Sequence, residues 1–188
     1  YLYANRARAA FCPGGYLPSL DSYTGSGGMT LFVVLLMIIG FGTKAGMFPM
    51  HGWLPTAHPV APAPASAVLS GIITKSGVLA IIRIIFYTVG PELVRGTWVQ
   101  YTWMTLALLT VFMGSMMAYK EKLLKKRLAY STVSQVAYIL FGLSVLNESG
   151  MMGALSHFVF HSVVKNGLFL AAGAVIYKTG RKTVGELG

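Results

Sequence analysis

Acidic residues are scarce: the 188-residue chain holds five aspartates and glutamates against fifteen lysines and arginines. All five (Asp21, Glu92, Glu121, Glu148 and Glu186) fall between apolar runs or in the tail. A lysine inside an apolar run therefore has no carboxylate in its own run to pair with. Cysteine is nearly absent, and the single Cys12 excludes an intrachain disulfide and any cysteine-built zinc or iron–sulfur centre. Charged residues of either sign make up 11%, while 55% are hydrophobic. That balance leaves too little polar surface to solvate a globule of this length. What is abundant is apolar sequence in runs of about 20 residues, the length that crosses a bilayer.

The net charge of +10 does not point to nucleic acid, because the basic residues form no face on a soluble domain. They sit in short segments between apolar runs, as in a multi-pass membrane protein. No initiator methionine, signal peptide or closing feature is present, so the chain is expected to be an internal piece of a longer protein.

The expected class is all-α: a polytopic transmembrane helix bundle of about five spans, the first of them broken. Residues 1–28, with Arg6, Arg8, Pro13 and Pro18, read as a connector with an interfacial turn near Tyr16 and Tyr23. Residues 29–188 read as the membrane domain. Its first span covers about 29–54 and breaks at Pro49 and Pro55, since proline removes a backbone donor and clashes with the preceding turn. Such a break is tolerated at membrane depth only where protein or water satisfies the freed groups. Pro59, Pro62 and Pro64 are expected to hold an extended connection to the second span, about 63–87. The third, about 98–119, opens with Trp98, Tyr101 and Trp103, which read as an aromatic belt. The fourth and fifth cover about 128–146 and 151–177. Five helices put KEKLLKKR (120–127) and the tail with Lys178, Arg181 and Lys182 on one face, predicted cytoplasmic or its equivalent.

The chemistry lies in the ionisable groups inside these runs. Lys44 is about 15 residues into the first span, Lys75 is central in the second, and Lys165 is deep in the fifth. An ammonium at the bilayer centre costs about 2.5–3.5 kcal/mol on insertion scales, so such residues mark functional interiors. Desolvation disfavours the charged form of an amine, which makes a buried lysine a workable proton relay. Its counter-carboxylate must come from outside this chain.

His157, His161 and Lys165 recur at i, i+4 and i+8, forming one polar stripe on an apolar helix. The sequence HFVFH lacks the glutamate of a zinc protease motif, so no metal is expected. His51 and His58 flank the broken helix and line a cavity or hold the loop. Ser131, Thr132, Ser134 and Gln135 either line a polar half-path or join helices to one another.

Three segments carry a family resemblance: KAGMFPMHGWLPTAHPVAPAPASAVLSGIITKSG, KKRLAYSTVSQVAYILFGL and HFVFHSVVKNGLFLAAG. Together they resemble the antiporter-like membrane subunits shared by respiratory complex I (NADH:quinone oxidoreductase), Mrp-type cation/proton antiporters and membrane-bound hydrogenases. The resemblance implies two inverted five-helix repeats, each with a half-channel and a broken helix. It assigns Lys44, Lys75, His157, His161 and Lys165 to a proton relay. It pairs Lys44 with a glutamate on an earlier helix that this chain does not contain. Thr56 stands where relatives often carry aspartate, and Ser162 and Asn166 where they often carry alanine.

The function implied is proton translocation, or sodium/proton exchange, by a non-redox subunit that holds no cofactor. Its partners are other membrane subunits, H⁺ or Na⁺, and the lipid bilayer, with no nucleic acid. The location is a bacterial or archaeal cell membrane or an organelle inner membrane. Two other classes make distinct predictions. A haem-binding anchor for electron transfer needs histidines facing each other from two helices, and a purely structural bundle would gain stability when its central lysines become leucine.

Overall fold

The computed structural model describes residues 27–186; the connector, its tyrosine turn and Cys12 lie outside the described residues. The long helices are α1 (Gly27–Ala45), α3 (Ala63–Val89), α4 (Trp98–Lys120), α5 (Leu124–Ser144) and α6 (Glu148–Thr179), with the short α2 (Trp53–Val60) after the first. Among the described residues the only strand-like pairing is one bridge between Leu123 and Thr183.

Four helices, α1, α3, α4 and α6, are long and apolar enough to cross a membrane. The fifth, α5, opens with Lys125, Lys126 and Arg127 and continues through Ser131, Thr132, Ser134 and Gln135. It can afford these because it lies inside the bundle, packed against α2, α4 and α6. At 21 residues it is about 30 Å long, matching the hydrocarbon core. Conversely, Leu108 and Phe112 of α4 and Phe160 and Val163 of α6 are exposed, as expected of faces turned to lipid.

Without a hydrophobic drive between helices in lipid, close approach of small residues holds the bundle together. A Cβ on Gly77 of α3 would sit 2.6 Å from the Phe41 carbonyl and 2.9 Å from the Ala45 amide nitrogen of α1. Only glycine permits that approach. Ser115 and Ser134 hydroxyls meet at 2.8 Å between α4 and α5, so Ser134 joins helices.

Protein groups satisfy the first freed amides of the break after α1. Gly46 takes φ +89°, a region glycine enters without steric cost, and turns the chain. The Gly46 and Met47 amides donate to Thr43 and Gly42 carbonyls at 3.1 and 2.8 Å. The Phe48 amide donates to Thr110 Oγ1 of α4 at 2.9 Å, and Trp53 Nε1 donates to the Thr43 carbonyl at 2.9 Å.

Three details differ from expectation. Pro55 sits in the first turn of α2, where the missing N–H has no helical partner to lose. Pro59 also lies inside α2, near its end, so the extended connection shrinks to Ala61 and Pro62 (ψ 143° and 154°). Trp103 is fully buried in the core and belongs to no belt, whereas Trp98 and Tyr101 are exposed.

Candidate functional site

α3 is not uniformly α-helical: Leu69–Ile73 and Arg83–Val89 are π-helical. In the first of these, the Thr74 N–H reaches back to the Leu69 carbonyl, so the Ser70 carbonyl loses the amide an α-helix would give it. Single π turns recur at functional sites for this reason. The Ser70 carbonyl instead accepts the Thr74 hydroxyl at 3.0 Å and the Lys75 ammonium at 2.7 Å. Lys75 is 2% exposed.

The opposite wall is built from α5 and α6. Lys165, 3% exposed, donates its ammonium to the Leu128 carbonyl at 3.1 Å. The Thr132 hydroxyl donates to the same carbonyl at 3.0 Å. Between the two lysine anchors, Ser70 Oγ and Thr132 Oγ1 meet at 2.8 Å. A hydroxyl has one proton, so both contacts of Thr132 are made at once when Ser70 donates and Thr132 accepts. The result is an oriented series: Lys75 on the Ser70 carbonyl, Ser70 hydroxyl to Thr132 hydroxyl, Thr132 to the Leu128 carbonyl, and Lys165 on that carbonyl.

Imidazoles extend the site. His161 is buried on the Lys165 face of α6, and its ring stacks with His157 at 5.8 Å. His58 of α2 is fully buried and stacks on Phe169, one turn beyond Lys165, at 4.5 Å. Neither ring nitrogen of His58 or His161 has a protein partner, nor has Nε2 of His157. The charges of Lys75 and Lys165 act on one another and on His161. Among the described residues, neither lysine forms an ion pair; the salt bridges are Arg95–Glu92 and Lys126–Glu121, both in connecting regions.

The structure thus gathers Lys75, Lys165, His161, His157 and His58 around α5. Lys44 stands apart, exposed in the last turn of α1. His51 is half-buried in the break, its ring 6.0 Å from that of Phe48, and Pro49 is exposed. Pro55 is buried in α2. Ser70 was not singled out from sequence; its signal is a hydroxyl five residues before the central lysine of an apolar run.

Apolar helices of bilayer length around a buried cationic interior define a polytopic membrane protein. The family model described as "NADH:quinone oxidoreductase/Mrp antiporter, TM" matches residues 15–186, and the chain belongs to that family of antiporter-like membrane subunits. It is 38% identical over 161 residues to NADH-quinone oxidoreductase subunit N of Desulforudis audaxviator, covering 84% of this chain and 31% of that protein. To Hydrogenase-4 component B of Escherichia coli it is 36% identical over 178 residues, covering 87% of this chain and 26% of that protein. The chain therefore spans less than a third of the length of these relatives. Among solved structures it is similar to the archaeal membrane-bound sulfane sulfur reductase, with TM-score 0.76 and 28% identity over 97% of this chain and 32% of that one. It is also similar to the Mrp complex from Dietzia, with TM-score 0.70 and 30% identity over 76% of this chain and 26% of that one.

Proposed function

We propose that this chain carries protons between Lys75 and Lys165 as part of a translocating subunit in a multisubunit membrane complex. That complex is of the NADH:quinone oxidoreductase, Mrp antiporter or energy-converting hydrogenase type. One observation carries the reading: two buried ammonium groups, neither in an ion pair among the described residues, are held on the Ser70 and Leu128 carbonyls beside the Ser70–Thr132 hydroxyl pair. Carbonyls only accept, so they hold the ammonium groups in place; hydroxyls both donate and accept, so a proton released by one ammonium crosses to the other through the hydroxyl pair once water bridges each ammonium to its nearer hydroxyl. Reversing the pair, with Thr132 donating to Ser70, reverses the direction in which the next proton moves.

His161 and His157 continue the line along α6 away from the basic end, and imidazole accepts and releases protons near neutral pH. Buried imidazole nitrogens need partners, which supports a hydrated path there. Lys44, on the outer flank of α1, is the point where a carboxylate from outside this chain sets the charge state of the path. A proton fits this interior better than sodium, which needs several oxygen ligands and is repelled by two ammonium groups. The chain itself has no redox role in this account; redox chemistry belongs to partner subunits.

The test is ion flux in vesicles carrying the full-length complex, comparing wild type and Lys165→Ala under proton and under sodium gradients. Proton flux is expected to fall at least about tenfold, the order of effect of losing one positioned acid–base group. Proton flux equal to wild type would refute the relay, and loss of sodium flux alone would refute the choice of ion.

A further inference from the structure

The relay leaves one feature of the molecule unused: the concentration of positive charge at the end where α4 and α6 finish and α5 begins. Lys120, Lys122, Lys125, Lys126, Arg127, Lys178, Arg181 and Lys182 gather there against Glu121 and Glu186. Backbone pairing brings the two segments together. The Leu124 amide donates to the Lys182 carbonyl at 3.0 Å, and the Val184 amide to the Lys122 carbonyl at 3.0 Å. Both flank the Leu123–Thr183 bridge.

Internal partners account for only part of this charge. Lys126 pairs with Glu121 at 2.9 Å, Lys125 donates to the Ala61 carbonyl at 2.9 Å, and Arg181 donates to the Glu186 carbonyl at 2.6 Å. Lys120, Lys122, Lys178 and Lys182 are exposed, and their ammonium groups make no such contact among the described residues. Two of them follow matching tyrosines: Tyr119–Lys120 ends α4, and Tyr177–Lys178 lies in the last turn of α6. Both tyrosines are splayed outward, 79% and 94% exposed. Tyrosine at the end of an apolar span favours headgroup depth, which would bring the neighbouring ammonium groups to the level of lipid phosphates.

We propose that this end of the bundle is a binding surface for anionic phospholipid headgroups. Lys120, Lys122, Lys178 and Lys182 supply the charge, and the Leu123–Thr183 bridge holds the two halves in register. The tyrosine pair is what favours lipid over an acidic protein, because a soluble partner would not need aromatic side chains at that depth. The surface is independent of the proton relay, and neither proposal needs the other.

The test uses the lipid-stripped complex in detergent, titrated with short-chain phosphatidylglycerol or with phosphatidylcholine of the same acyl length, and reads apparent affinity by thermal shift. Wild type and a fourfold Lys→Arg variant are expected to bind phosphatidylglycerol, and high salt to weaken the binding. The fourfold variant K120Q/K122Q/K178Q/K182Q should bind at least about a hundredfold more weakly, as each basic residue near an anionic surface contributes severalfold. The Lys→Arg variant separates lost charge from lost folding. Equal binding of both lipids by wild type would overturn the proposal. So would a glutamine variant that keeps phosphatidylglycerol binding but sheds partner subunits, which would assign the face to an acidic protein.

Discussion

Thr132→Val and Ser70→Ala delete the two ends of one hydrogen bond, yet they should differ in cost. Both side chains are fully buried. In Thr132→Val a methyl replaces the hydroxyl, leaving the Ser70 O–H without its acceptor; an orphaned buried donor costs about 1–3 kcal/mol. The Leu128 carbonyl still keeps the Lys165 ammonium. In Ser70→Ala the Thr132 hydroxyl still donates to Leu128, and only an accepted bond is lost, about 0.5–1 kcal/mol. The double variant removes both groups and should cost less than the sum, with a coupling of about 0.6–1.7 kcal/mol as for interhelical hydrogen bonds in membranes. Equilibrium unfolding of the four proteins in mixed micelles measures this cycle. A larger cost for Ser70→Ala than for Thr132→Val, or no coupling, would refute the assigned direction of the bond and with it the oriented series between the lysines.

Three further outcomes follow from the packing. A Cβ on Gly71 would collide with the Asn166 amide, so Gly71→Ala should lower the thermal midpoint in wild type but be tolerated in an Asn166→Ala background. Gly77→Ala meets backbone rather than a movable side chain; it should cost about 1–3 kcal/mol and push α1 away from α3, seen as faster proteolysis near the break. The Lys126 ammonium, hydrogen-bonded to Glu121, holds that carboxyl below its ordinary value of 4.5. A depressed carboxyl stabilises the fold above that value and ceases to as pH falls through its own lower pKa. The gap in melting temperature between wild type and Glu121→Gln should therefore be small but present at pH 7, as for partly exposed pairs, and close under acid.

The lysines were legible in the sequence because an ammonium inside an apolar run has few structural explanations. Their placement shows why Lys75 and Lys165 differ from Lys44: the first two sit mid-helix facing α5, while Lys44 ends α1 on an outer face. The stripe of His157, His161 and Lys165 was legible from helical spacing alone, though the half-exposure of His157 was not. What sequence could not give is the bond between Ser70 and Thr132, 62 positions apart, since no periodicity links residues on different helices. The π turn that frees the Ser70 carbonyl was equally hidden, because nothing in LSGII separates it from an ordinary helix. Trp103 misled for a related reason: an aromatic near a helix start reads as a belt until its face is known. α5 also ran against composition, carrying polar residues in a membrane because α2, α4 and α6 pack against it.

The most direct test of the account is proton flux in vesicles holding the full-length complex with Lys75→Ala, with assembly and partner turnover confirmed unchanged. The account predicts flux at least about tenfold below wild type. Flux equal to wild type, with the complex assembled, would mean that the buried lysines serve the fold and that protons travel elsewhere.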